Sequence, residues 1–406
     1  MVFDERLLAP GPVPIAPAVR AVLARPAVHH RTAAFRATFV RARSRLAELL
    51  LVPGDDVLLV GGAGTTAFEA AFLASVPPGA TLVAAHAGKF GERWARLARR
   101  YGHPLVEVAA PWGSVVDPAA VAAALRAHPQ AAALTLTHSE TSTGVLHDLR
   151  AIAAAAHKAA PDALVLVDAV TSLAAAELRP HDWGLDAVIA GSQKGVMLPP
   201  GLGFAWLSER AWSRLPEPGQ RHRSFTLDLH AERPRQRQGE TGITPPVPLV
   251  LALDVALEQL LSFGIEAWWH HKAALNTAVL AGLDALGCRP FAARPSPAVA
   301  AVWTPDGFAA GTVSQALLAR GVRVGGGQDA FASRMLRPSV LGHVDAYDAL
   351  TIVAAFEQAL HDLGAPLTVG AGVASFQRRL LAGAHARATS THTDDASRTG
   401  PRSKSP

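Results

Sequence analysis

The chain has 406 residues, half of them hydrophobic and 6% aromatic, with Ala, Arg, Gly and Pro abundant. This is the composition of a soluble α/β protein with short loops, not of a disordered chain. The formal charge of +5 is concentrated at the end: residues 371–406 hold six Lys/Arg and two Asp, so only +1 is left for the rest and no basic face argues for a nucleic-acid partner.

A single cysteine, Cys288, rules out an internal disulfide or a cysteine-rich zinc site, and the seventeen histidines show no metal-ligand spacing, so no metal is expected. At this length one large domain plus a smaller one is expected. Residues 1–16 contain Ala9-Pro-Gly-Pro-Val-Pro14, too rich in proline for a helix or a central strand, and read as an extended N-terminal arm. From Pro17 the apolar spacing is helical, with Val19, Val22 and Leu23, then Phe35, Phe39 and a run ending near Leu51. Short apolar runs then alternate with helical ones: strands over 57–60, 81–85, 133–137, 163–168 and 187–190, helices over 65–75, 91–101 and 149–160. The alternation predicts an α/β domain over 17–262, with a mixed, mostly parallel sheet carrying helices on both faces.

Thr244-Pro-Pro-Val-Pro closes that domain, and a long helical pattern from about Leu249 to Leu286 leads into a smaller α+β domain over 263–370. Beyond about Gly370, Ser, Thr, Arg, Asp and Pro dominate without apolar periodicity, so 371–406 are expected to be a basic tail without fixed fold, although 376–381 can extend a helix. Apolar runs are interrupted, as by Asp254 and Glu258, before they reach the roughly 20 residues of a membrane span. The start lacks a basic segment ahead of an apolar core, and a cytoplasmic protein with no membrane partner is expected.

Four segments carry chemistry. Gly191-Ser-Gln-Lys-Gly195 follows an apolar strand, and a lysine held in a glycine-rich cleft at a strand end is costly to keep charged, which makes it a nucleophilic amine. Taken alone, it is equally a solvated loop lysine. The strand Ala163-Leu-Val-Leu-Val-Asp168 ends in a carboxylate, either a helix N-cap or a partner for a protonated ring nitrogen. Two parallel strands would bring Asp168 and Lys194 to one crevice at the same sheet edge. Leu59-Val-Gly-Gly-Ala-Gly-Thr-Thr66 is a strand, a glycine turn and a helix start, where the amides of Gly64 and Thr65 and the Thr65 hydroxyl suit a phosphate. The hydroxyl-rich Thr137-His-Ser-Glu-Thr-Ser-Thr-Gly144 reads as a binding loop or a helix-capping turn.

These segments, with others in order, resemble the class V aminotransferases of the alanine/serine–glyoxylate type, within the fold type I pyridoxal 5′-phosphate (PLP) enzymes. The resemblance runs over residues 7–365 and includes Pro10-Gly-Pro12, His30-Arg31 with Phe35, Glu69-Ala70, Phe90-Gly-Glu-Arg93, Val167-Asp-Ala-Val-Thr-Ser172, Pro199-Pro-Gly201 after Lys194, Thr244-Pro245, and Arg337 with Gly342. It implies a mostly parallel seven-stranded sheet and a ping-pong transfer of an amino group from a small amino acid to a 2-oxo acid such as glyoxylate.

In the residue roles that the resemblance implies, Lys194 holds PLP covalently, Asp168 pairs with the pyridine nitrogen, and Gln193 meets the phosphate beside Gly64 and Thr65. Phe90 stacks on the ring, Thr141 and Val170 touch its edge and face, and Arg337 binds the substrate carboxylate through its planar fork. Thr244 reaches the cofactor phosphate of a partner subunit, which implies a homodimer with shared sites. Two departures bear on phosphate grip: Ala63 replaces a common serine and Thr241 a common tyrosine. Rival readings are a PLP-dependent lyase or cysteine desulfurase, for which Cys288 would have to be the mobile nucleophile, and a PLP-binding protein without turnover.

Overall fold

The computed structural model describes residues 4–54, 56–214 and 224–396. Its centre is a seven-stranded sheet, with strands numbered here in chain order as β1 (Val57–Gly61), β2 (Leu82–His86), β3 (Leu105–Ala109), β4 (Ala133–Thr137), β5 (Leu164–Asp168), β6 (Ala187–Gly191) and β7 (Leu202–Leu207). The spatial order is β1-β7-β6-β5-β4-β2-β3, all parallel except β7, which runs antiparallel to both neighbours.

Strands covered on both faces read as continuous apolar runs, and β5, Leu-Val-Leu-Val-Asp, is buried throughout. Alternate residues serve opposite cores. Leu134, Leu136, Val165, Val167 and Val188 face the helices Ala33–Leu49, Leu149–Ala159 and Val247–Phe263, while Ala133, Leu164, Leu166 and Ile189 face Gly64–Ser75 and Gly91–Arg100. Each fully buried Leu or Val contributes about 1.5–3 kcal/mol, so both faces anchor the sheet whose edge carries the chemistry.

A second core is built by Ile265–Asp284, Ala310–Ala319 and Ala346–Asp362 against a small antiparallel sheet in the order Val302–Trp303, Met335–Arg337, Gly325–Gly326. Here the structure departs from the single long helix expected over 249–286. Two helices meet at Gly264 with an 84° bend, because φ of +87° at Gly264 is open to glycine and not to a helical residue.

The expected unstructured tail is also corrected in part, since the chain continues as a helix over Ala371–Ala396. Phe376 enters the second core at 1% exposure, and the Glu357 carboxylate accepts hydrogen bonds from Gly370 N and Gly372 N at 2.6 and 2.8 Å. Phe376 and the partly buried Leu380, four residues on, pack on the second core, a pair too sparse to register as periodicity, while Glu357 holds the helix start. Residues 397–406 of that expectation lie outside the described residues. Among the described residues no single helix is long and apolar enough to cross a membrane.

The N-terminal arm is extended. Arg6–Leu7 pairs in parallel with Val322–Arg323, Leu8 joins the second core, and Ser339 N and His343 N donate to Leu8 O and Pro14 O at 2.9 and 3.0 Å. The arm thus lies across both cores and above the sheet's working edge.

Candidate active site

In open parallel sheets the carboxyl ends of the strands leave a crevice for ligands. Register aligns those ends here: Thr137 of β4 lies opposite Asp168 of β5, which lies opposite Ile189 of β6. Gly62, at φ +123°, turns β1 into the helix Gly64–Ser75 on the same edge. Gly64 packs so closely that a Cβ there would come within 2.7 Å of Val170 Cγ2.

Together these ends enclose a cavity of about 200 Å³. Eight of the ten residues singled out in the sequence line it: Gly64, Thr65, Phe90, Thr141, Asp168, Val170, Gln193 and Lys194. Arg337 stands behind Thr141, to whose carbonyl its Nη1 donates at 2.7 Å while Nε donates to Gly326 O at 2.8 Å. Thr244 is exposed and lies apart, in a groove with Thr226, Thr241 and Ile243.

Lys194 leaves β6 in a loop stiffened by Ser192, whose Oγ donates to Pro199 O at 2.7 Å. Its Nζ donates to Pro10 O of the arm. Burial, then the charge of Arg337, lowers its pKa to about 8 against the opposing pull of Asp168, so the neutral amine is accessible near neutrality. Asp168 is buried, and burial raises its pKa to about 6 although its Oδ1 accepts from Val170 N at 2.8 Å. Burial also lowers Arg337 to about 10, and no carboxylate pairs with it among the described residues.

Several residues at the site carried no assigned role in the sequence reading. Thr171 Oγ1 shares a 2.6 Å hydrogen bond with Thr141 Oγ1, and Thr137, Ser139, Phe68 and Arg93 complete the lining. Glu140 is fully buried and accepts from Phe90 N, Gly91 N and Ser142 N at 3.1, 2.8 and 3.0 Å, which fixes the backbone that presents Phe90. Desolvation raises its pKa while these donors hold it down. A carboxylate set among hydroxyls in residues 137–144 was the readable trace of that anchor.

The donor set fits PLP. Ala63, the residue before Gly64–Ser75, provides no side-chain cap, which leaves the helix N–H groups for an anion. Gln193 Oε1 is buried without a hydrogen-bond partner, the mark of a wall completed by a group that is not protein. An amine and a carboxylate sit in the same cavity for the aldehyde and the ring nitrogen.

A lysine and an aspartate at the carboxyl edge of a seven-stranded, mostly parallel sheet define a fold type I PLP enzyme. The sequence profile of the class V aminotransferases matches residues 18–344, and the chain belongs to that family. It is a PLP-dependent transaminase.

The chain is 37% identical over 385 residues to the small subunit of soluble hydrogenase from Synechococcus sp., covering 92% of this chain and 98% of that one. It is 33% identical to the L-aspartate–glyoxylate aminotransferase of Paracoccus denitrificans over 93% and 96% of the two chains. Among solved structures, the aspartate aminotransferase of subgroup IV from Thermus thermophilus superposes with a TM-score of 0.83 at 39% identity, over 88% of this chain and 99% of that one.

Proposed function

We propose that this transaminase moves an amino group from a small amino acid of the alanine, serine or aspartate type to a 2-oxo acid such as glyoxylate. Lys194 holds the cofactor, Asp168 meets its ring nitrogen, and Arg337 receives the substrate's α-carboxylate. The observation that carries this reading is the shared cavity, in which an amine lowered to about 8 and a carboxyl raised to about 6 stand together. Glyoxylate and aspartate are supported by the name of the Paracoccus relative, and aspartate by that of the Thermus structure.

Bound PLP supplies an aldehyde that captures amines covalently and a ring that withdraws electrons from the substrate's Cα. Lys194 would hold the cofactor covalently, and its Nζ, once freed by an amino donor, would be the base that accepts the substrate's Cα proton and gives it back. Asp168 would face the ring nitrogen, where an ionised carboxylate favours that nitrogen's protonated form. Arg337 is pre-set by the carbonyls of Thr141 and Gly326, so its remaining N–H groups meet a carboxylate without reorganising. Fixing that carboxylate fixes which Cα bond is broken.

The two rivals lack support. Cys288 is 0% exposed in the second core, and burial pushes its thiol up to about 12, the reverse of a mobile desulfurase nucleophile. A PLP binder without turnover would have no use for Arg337 behind the cavity. The hydrogenase name carried by the Synechococcus relative finds no counterpart in these residues, since one cysteine cannot supply the thiolates of an iron–sulfur cluster.

The reading includes a homodimer in which Thr244 serves the partner's phosphate. Its support is the exposure of Thr244 beside Ile243, an apolar residue 46% exposed, on a surface that also carries Phe225 at 94%. The test of the function is the half-reaction. Loaded protein mixed with alanine, serine or aspartate should pass to the pyridoxamine form and return on adding glyoxylate. A spectrum unmoved by every donor would end the proposal.

A further inference from the structure

The phosphate end of the cavity poses a problem of charge. Ala63 offers no side-chain donor at the helix start, and Thr241, in the neighbouring groove, spends its Oγ1 on Ile243 O at 2.6 Å. Helix N–H groups bring roughly half an elementary charge, against the nearly two negative charges of a phosphate monoester.

Among the described residues, the ionisable side chains lining the cavity are Arg93, Asp168 and Lys194. Lys194 is committed to the aldehyde and Asp168 to the ring nitrogen, so one cation is left. Arg93 Nη1 donates to Thr65 Oγ1 at 2.7 Å, one hydroxyl away from the first turn of Gly64–Ser75. Its guanidinium lies over the Phe90 ring, 4.9 Å from the ring centre. No carboxylate pairs with it among the described residues, so most of its five N–H donors are uncommitted.

We infer that Arg93 is the phosphate-binding cation of this chain, joined through the Thr65 hydroxyl to the uncapped helix start and replacing the donors missing at Ala63 and Thr241. The inference rests on the PLP reading of the cavity. Thr65 is then shared, its oxygen accepting from Arg93 and its proton donating to the phosphate. The competing use of Arg93 is the distal carboxylate of a dicarboxylic substrate. Its bond to Thr65 favours the phosphate, because Thr65 belongs to the helix start and not to the Arg337 end of the cavity.

The experiment compares PLP with pyridoxal, which lacks the phosphate, by absorbance titration of protein stripped of cofactor. Wild type should bind PLP far more tightly than pyridoxal. Arg93→Gln should weaken PLP by about tenfold to a hundredfold, the loss of one charge-assisted contact, and leave pyridoxal within about twofold. Arg93→Lys should recover part of the difference, and inorganic phosphate should compete with PLP more weakly in the glutamine variant. Arg93→Met, which keeps an aliphatic cover over Phe90, repeats the measurement where the glutamine variant folds poorly.

Equal weakening of PLP and pyridoxal would overturn the inference in favour of a structural role. Unchanged affinity for both, with a raised KM for aspartate alone, would overturn it in favour of the substrate carboxylate. Failure of the wild type to bind PLP would remove the inference and the enzyme assignment together, and only that result touches the latter.

Discussion

Among the described residues two lysines have a pKa lowered by desolvation, and they make different use of the same penalty. Lys272, 1% exposed in the helix Ile265–Asp284, donates to Gly342 O at 3.0 Å and Val344 O at 2.9 Å, with its Nζ 4.5 Å from the centre of the Trp268 ring. Burial lowers its pKa to about 7, further than the value of about 8 at Lys194. A depressed amine is therefore no sufficient sign of chemistry. What separates the two is their company: Lys194 borders a cavity shared with Asp168, whereas Lys272 spends its donors on the loop that follows Arg337.

The sharpest way to break this contrast is to remove each amine in turn. Lys194→Ala should lower turnover by about a thousandfold or more and abolish borohydride fixation of the cofactor to protein, as read by intact mass. Its melting curve should move little. Arg337→Ala should raise KM for carboxylate substrates and cut kcat/KM by about a hundredfold with cofactor content preserved, as the proposed carboxylate role requires. Unchanged kinetics would take Arg337 out of the site.

Lys272→Met should show the converse pattern, a loss of about 2 kcal/mol in unfolding free energy from two carbonyls left without donors, with kcat within a few-fold of wild type. The pH dependence sharpens the point further. The folded state releases the Lys272 proton near pH 7 and the unfolded chain near 10.5, so between those values the unfolded chain binds more protons. The contribution of this site to stability therefore rises with pH across that window and is flat below it, and urea titrations of Lys272→Met should lose that part of the slope. The smallest effect is expected at Thr244→Ala: if the proposed dimer forms, a several-fold weaker hold on PLP in the dimer and none in a monomer, checked by titration beside light scattering.

Five of the seven strands were legible because they are short apolar runs bounded by glycine or a polar end, as in Leu-Val-Leu-Val-Asp168 and the run before Gly191, whereas the half-buried edge strand Leu105–Ala109, interrupted by Glu107, was not read. The antiparallel β7 was not read as a strand either, since Leu-Gly-Phe-Ala-Trp-Leu carries a glycine and, being buried throughout, neither alternation nor a mark of direction. Gly264 was passed over for a similar reason: glycine is tolerated within a helix, and only the packing of two cores decides that it takes positive φ. At the site, residues on strand ends and glycine turns could be read from local pattern. Arg93, on a helix whose face toward the cavity is set by tertiary packing, and Pro10, 184 residues from Lys194, could not.

The position of the arm has a consequence for biosynthesis. Its strand is completed by Val322–Arg323, so the acceptor that steadies the Lys194 amine is docked only after most of the chain has emerged from the ribosome. The pairing joins segments more than 300 residues apart, so the entropy of closing that long loop has to be met before the contact forms. Until that pairing forms, Lys194 lacks the Pro10 carbonyl that accepts its amine proton.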